Sequence, residues 1–307
     1  MEGLIMKSTG SWYDILGADR NKYKGRLQGK FKTHGLKVTN PIAVGDKVTF
    51  QTEDVAENTV IITDIHPREN YLIRKSSHKT AFGHIIASNL DQSILVVTLV
   101  YPKTSLGFID RFLVSCEAFG IPAVLIFNKA DLYDEALEEY QNYLIEIYEK
   151  LNYKCLVTSL KENRGIDDVQ SLLKGKISLL SGHSGVGKSS FINAILPELN
   201  LKTAEVSNFS SKGTHTTTFA EMFQINDNTF IIDTPGIKEL GIFEIGEEEL
   251  SHYFPEMRSL INECKFNNCK HINEPGCAVL QKVEQGEISI SRYESYISMM
   301  MDEDNRR

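Results

Sequence analysis

The sequence predicts a multidomain chain: an N-terminal β-barrel over residues 1–75, a central α/β domain with a mostly parallel sheet over 76–243, and a C-terminal, mainly helical domain around a metal site over 244–307. Three observations predict it. Residues 1–75 hold short strand-like runs separated by Gly and polar turns, with no helical period. From about Leu90, apolar strands alternate with amphipathic helices, the pattern of a parallel sheet with helices on its faces. Toward the C-terminus, three of the five cysteines crowd beside a histidine.

In the first region the strand runs are Gly25–Gly29, Leu36–Val38, Lys47–Phe50, Val60–Ile65 and Tyr71–Arg74. In the second, Ile94–Val100 reads as a buried strand, residues 109–120 as a helix and Ala123–Phe127 as a strand ending in a loop. An amphipathic helix over 135–152, a strand from Lys154 and a short helix over 167–175 follow. Strand Ile177–Leu180 enters a Gly-rich loop and helix Ser189–Leu196; two more strands lie over 219–226 and 229–233. These strands are apolar throughout, as expected when both faces are covered. Beyond Phe243, polar helical stretches surround the cysteines, and the closing MDEDNRR reads as a frayed tail.

The composition, 41% hydrophobic and 24% charged, is that of a globular chain, and no apolar run is long enough to span a bilayer. The N-terminus lacks a basic segment followed by an apolar core, so the cytoplasm is the expected compartment. A net charge of -8 argues against a protein that coats nucleic acid non-specifically, while leaving room for a local basic face. Cys116 and Cys155 stand alone in apolar segments and read as buried thiols.

Gly182-His183-Ser184-Gly185-Val186-Gly187-Lys188-Ser189 fits G-x-x-x-x-G-K-[ST] between a strand and a helix, the context a phosphate loop needs. Glycines let the backbone close on phosphate, and the loop N–H groups with the helix N-terminus supply positive potential. Lys188 is expected to reach the β- and γ-phosphates and Ser189 to bind Mg²⁺, with Ser190 counted among the nucleotide contacts.

Phosphates do not tell GTP from ATP. Asn128-Lys129-Ala130-Asp131, at the end of a strand, is by itself a common polar turn, but beside the phosphate loop it resembles the N-K-x-D motif of the GTPase superfamily. That resemblance gives Asp131 the guanine N1 and 2-amino groups, and Lys129 the face of the ring. A buried carboxylate left unpaired by adenine costs several kcal/mol, the source of the selectivity. Ser159 and Leu160 resemble the short loop whose backbone meets guanine O6.

Asp233-Thr234-Pro235-Gly236 looks like D-x-x-G, in which Asp233 holds Mg²⁺ through water and Gly236 touches the γ-phosphate. The threonines of residues 212–218 suit a first switch, with Thr217 the first choice for Mg²⁺. The position after D-x-x-G is Ile237, which cannot orient water; His215 is the internal candidate, its alternative being a surface histidine. The base-reading motifs precede the phosphate loop, so the domain is circularly permuted, a change tolerated where domain termini lie close together. Finally, Cys264-x4-Cys269-x-His271-x5-Cys277 offers three thiols and an imidazole, the donor set of tetrahedral, structural Zn²⁺.

In this combination the motifs NKAD, GHSGVGKSS, GTHTTT, DTPG and the Cys–Cys–His–Cys cluster resemble the bacterial ribosome small-subunit-dependent GTPase A family over nearly the whole chain. The resemblance implies an OB-fold, a permuted GTPase domain and a zinc domain. It implies GTP hydrolysis to GDP, late maturation of the small ribosomal subunit, rRNA binding, stimulation by the subunit, and a monomer in the cytoplasm. Arg20, Lys22, Lys24, Arg26, Lys30, Lys32 and Lys37, with Tyr23 and Phe31 interleaved, fit an RNA-binding barrel face as well as a solvated hairpin. Two other functions compete: a GTP-dependent switch acting on a protein partner, which has no need of the basic stretch, and a zinc-stabilised RNA-binding module with a vestigial nucleotide site, against which Lys188, Ser189, Asp233 and Asp131 stand intact.

Overall fold

The computed structural model describes residues 1–27, 38, 40–75, 83–197, 220–233 and 245–301. Its strands are β1 (Glu2–Ser8), β2 (Tyr13–Gly17), β3 (Lys22–Leu27), β4 (Lys47–Asp54), β5 (Thr59–Ile65), β6 (Tyr71–Lys75), β7 (Gly83–Ser88), β8 (Gln92–Val97), β9 (Ala123–Phe127), β10 (Lys154–Val157), β11 (Ile177–Ser181), β12 (Glu221–Asn226) and β13 (Thr229–Asp233). Its α-helices are α1 (Leu106–Ala118), α2 (Glu135–Lys150), α3 (Ile166–Leu173), α4 (Lys188–Ile195), α5 (Pro255–Arg258), α6 (Ala278–Glu284) and α7 (Ile290–Met300).

The barrel closes in the order β1-β2-β3-β5-β4-β1, with β3 and β5 parallel. This is the five-stranded barrel of an OB-fold. The alternation that makes it is visible in β2 and β4, whose inward residues Tyr13, Ile15, Val48 and Phe50 are buried with Ile5, Val60 and Ile62. β1 and β2 were not among the predicted strands. Of the basic stretch, Lys30, Lys32, Lys37 and Phe31 lie outside the described residues, as does most of the predicted strand Leu36–Val38.

The central sheet runs β10-β9-β8-β11-β13-β12 and is parallel except for β12. From β8 the chain steps outward through β9 to β10, then returns to the other side of β8 as β11. The strand order therefore reverses between β8 and β11, and ligands of such sheets lie outside the strand carboxyl ends at that point. Helices α1 and α2 cover one face, where Phe108, Phe112, Leu113, Leu144 and Tyr148 are buried; α3 and α4 cover the other, with Val169, Leu172, Phe191 and Ile192. The expectation of two-sided burial holds for β8, buried at every residue, and fails for β12, in which Met222 alone is buried.

β12 also pairs with β1, so barrel and central sheet join edge to edge. The hairpin β6–β7 spans residues on both sides of position 75. The C-terminal unit packs α7 on α1 around Leu250, Phe254, Met257, Val279 and Tyr296, with Val114 of α1 in the same cluster. Residues 234–244 and the predicted tail 302–307 lie outside the described residues.

Candidate functional site

Three loops meet at the carboxyl ends of β9, β10 and β11. The phosphate loop leaves β11 at Gly182 and enters α4 at Lys188. Its backbone needs glycine at two places. A Cβ on Gly182 (φ +141) would stand 2.6 Å from Val96 O, and one on Gly187 (φ +108) would stand 2.5 Å from Asn128 Nδ2. Lys188 donates to Gly182 O (2.6 Å) and His183 O (2.8 Å), so its ammonium lies inside the turn. Burial lowers the Lys188 pKa, opposed by the charge of Asp233. Register pairing sets Asp233 beside Leu180 at the end of β11, one strand from the loop. Ser184 is exposed, Val186 is buried, and His183 lies against Phe108 of α1 with ring centroids 4.0 Å apart.

The base-reading loop is tied to the phosphate loop by Asn128. That side chain is buried, donates through Nδ2 to Val186 O (2.8 Å) and accepts from Thr158 Oγ1 (3.0 Å). One amide thus connects strand ends 58 residues apart in sequence. Ser159, fully buried, donates to Asp131 Oδ1 (2.6 Å), which orients the carboxylate. Leu160 Cδ1 lies 4.0 Å from the Cβ position of Gly187, so the third predicted loop borders both others. Asn128, Lys129, Asp131, Ser159, Leu160 and residues 182–190 are thereby gathered at one end of the sheet. His215, Thr217 and Gly236 lie outside the described residues.

Cys264, Cys269, His271 and Cys277 place their donor atoms within 4.8 Å of one another. Cys264 Sγ is 4.0 Å from Cys277 Sγ, and His271 Nδ1 is 3.3 Å from Cys277 Sγ and 3.6 Å from Cys264 Sγ. A tetrahedron with metal–sulfur bonds of about 2.3 Å has edges of about 3.8 Å, so the spacing fits one bound ion. Burial pushes the Cys269 thiol up to about 12, which a cation would reverse by binding thiolate. The loop is held by Glu274, a residue that sequence reasoning passed over. Burial alone would raise its carboxyl, but N–H donation from Lys270, Ile272 and Asn273 outweighs it and holds it at about 2. A carboxylate between two predicted ligands was the available signal.

Among the described residues, part of the predicted basic barrel face is paired with acidic side chains. Arg20 pairs with Asp227 (2.9 Å) and Arg26 with Glu53. Tyr23, half-buried, tilts its ring against Phe50 of the barrel core and donates its hydroxyl to Asp19 at the surface. The exposed aromatic there is Trp12, at 45%. Lys22 and Lys24 have no ion-pair partner among the described residues. Cys116 is buried as expected, whereas Cys155 is half-buried.

Two family profiles match the chain: the RsgA N-terminal domain over residues 2–60 and the RsgA GTPase over residues 65–243. The chain is 58% identical over 307 residues to the small ribosomal subunit biogenesis GTPase RsgA of Cytophaga hutchinsonii, covering 100% of both. It is 51% identical to the protein of the same name from Christiangramia forsetii, covering 100% of this chain and 98% of the other. Among solved structures it resembles YjeQ from Thermotoga maritima (TM-score 0.79, 37% identity, 100% of this chain and 99% of that one). It also resembles YloQ, described as a circularly permuted GTPase (TM-score 0.74, 31% identity, 100% and 96%).

Proposed function

The chain belongs to the RsgA GTPase family, and on that premise we propose that it hydrolyses GTP to GDP and phosphate in the biogenesis of the small ribosomal subunit. The observation that carries the reading is the Asn128 bridge, which joins the loop bearing Asp131 to the phosphate loop at the point where strand order reverses. A nucleotide in that crevice would present its guanine edge to Asp131 and its phosphates to the N–H groups of residues 183–189. Lys188 would move from the loop carbonyls to the phosphates, and Ser189 with Asp233 would hold Mg²⁺, which neutralises charge developing on the phosphates.

The switch roles of Thr217 and Gly236 rest on sequence. So does that of His215, which would orient the attacking water in the subunit-bound protein. Zinc is the metal best suited to three thiolates and an imidazole, and with four protein ligands it would be structural. No helix among the described residues is long and apolar enough to cross a membrane. A cytoplasmic monomer binding rRNA through its barrel completes the reading, supported by Lys22, Lys24 and Trp12 on the barrel surface. GTP turnover measured with and without purified small ribosomal subunits tests it. Stimulation by the subunit is expected, and turnover indifferent to it would leave a GTPase with another partner.

A further inference from the structure

The loop between β8 and α1, residues 98–105, carries no sequence motif, yet it forms one wall of the crevice at the strand-order reversal. Pro102 Cδ lies 3.5 Å from the Cβ position of Gly185 in the phosphate loop. Across the crevice mouth, Lys129 Nζ donates to the carbonyl oxygen of Tyr101.

Two residues of this contact have left-handed backbones: Tyr101 at φ 45 and Lys129 at φ 64. Most non-glycine residues avoid that region, and Asn tolerates it best. Among the described residues the other non-glycine cases are Asn58, Asn89, Asn152, Asn163, Arg20 and His271. Two of the four that are not Asn thus clasp each other beside Asp131, and a third is a predicted metal ligand. Strain of this kind persists where surrounding structure over-determines it. Here it does. Thr104 N donates to Thr98 O (2.8 Å), and Thr98 Oγ1 donates to Pro102 O. Leu99 N donates to the Tyr133 hydroxyl (3.0 Å), which itself donates to Asn128 O (2.8 Å). Tyr133 therefore locks the unassigned loop to the base-reading loop.

Lys129 needs such an anchor. Burial lowers its pKa, and no carboxylate lies within ion-pair distance of its ammonium among the described residues. The Tyr101 ring, by contrast, is 73% exposed. We infer that Tyr101 is a positioning residue of the nucleotide site: its main-chain carbonyl fixes the Lys129 ammonium, and through it sets the lysine stem over the purine face. This rests on the guanine-reading role proposed above for Lys129 and Asp131.

The test is a double-mutant cycle read by the affinity of a fluorescent GDP analogue. Tyr101→Asn keeps the left-handed backbone without the ring, and should bind within about twofold of wild type. Tyr101→Val resists that backbone; loss of one charged hydrogen bond should weaken binding about tenfold. Lys129→Met keeps a stem and removes the ammonium, so in that background Tyr101→Val should weaken binding no further. Should the Val variants not fold, Tyr101→Ala takes their place in the same cycle. Equal losses in both backgrounds would overturn the inference, as would an Asn variant as weak as the Val variant, which would assign the effect to the ring. A wild-type protein that bound no GDP would remove the guanine-reading proposal itself, and this one with it; an additive cycle in a wild-type protein that binds GDP removes only this one.

Discussion

The GTPase domain is joined to its neighbours by two seams of different construction. Toward the barrel, β12 meets β1 by strand pairing, backed by Leu4, Met6 and Leu16 packing against the cluster that holds Met222. Of its ion pairs, Arg20–Asp227 stands in solvent and Lys7–Glu221 is half-buried. Toward the C-terminal domain, α7 meets α1 by side chains alone among the described residues. At its centre Arg292 donates to Asp110 Oδ1 (2.6 Å) and to Glu256 through Nε (2.7 Å) and Nη2 (3.2 Å), while Tyr148 donates to Asp110 (3.0 Å). Arg292 and Asp110 are each 1% exposed. The Phe254 ring lies 4.7 Å from the guanidinium. Burial raises the Asp110 carboxyl against the pull of Arg292, Ser295 and Tyr148.

The contrast concerns where each seam is vulnerable. A main-chain seam survives the loss of any one side chain, because its hydrogen bonds belong to the backbone. A seam centred on a buried cation does not, because removing one partner leaves the others charged and out of water.

The largest effect should come from the support behind the second seam. Cys269→Ser removes one of the four proposed metal ligands. Structural zinc contributes about 10 kcal/mol or more in small zinc domains, so the C-terminal region should unfold while GDP binding remains. Elemental analysis, circular dichroism and GDP affinity together check this; full helicity without bound metal would show that the α1–α7 packing suffices alone.

Next in size is the seam's centre. Arg292→Met strands Asp110 and Glu256 and should cost about 3–5 kcal/mol in urea unfolding, with Arg292→Lys intermediate because it keeps the charge and loses the fork. A loss below about 1 kcal/mol for Met would place the seam's strength in its apolar contacts and erase the contrast.

These seams also mark the limit of what the sequence made legible. The phosphate loop, the base-reading loop and the proposed metal ligands are each short runs whose residue types follow from local chemistry; the two loops meet at one end of the central sheet, and the four proposed ligands cluster in the C-terminal unit. Arg292 and Asp110 are 182 residues apart, and each alone reads as an ordinary surface charge on a helix. β1 (EGLIMKS) holds its apolar residues as one run after Gly3, and β2 (YDILG) is short and ends on Gly17, so neither shows a clean apolar–polar alternation. Tyr23 sits among lysines, and only the structure shows its ring half-buried against Phe50. Tyr101 has no motif at all, its role arising from a main-chain atom.

The barrel's outward face depends on side chains even though its seam does not. Reversing Lys22 and Lys24 to Glu should leave stability and intrinsic GTP hydrolysis near wild type. Binding to small subunits should weaken, and with fewer phosphate contacts its salt dependence should become shallower. Subunit pelleting at two salt concentrations measures both; binding unchanged at each would remove this face from RNA recognition.

The smallest effect is expected at the first seam's own ion pair. Lys7 and Glu221 are direct register partners in the β1–β12 pairing, and their side chains are 34% and 31% exposed. Lys7→Glu sets two carboxylates opposite each other, a cross-strand clash worth about 0.2–1 kcal/mol at this half-buried pair. The backbone pairing and the packing of Met6 should hold, so unfolding should shift by no more than that. Lys7→Glu combined with Glu221→Lys restores opposite charges and should recover the loss. Screening gives a second handle: the single variant's deficit should shrink as salt rises from 50 mM toward 1 M, where the Debye length falls to about 3 Å. A single-variant loss of several kcal/mol, insensitive to salt and unrecovered by the double reversal, would mean that Lys7 is a structural anchor. The two seams would then be built on the same principle.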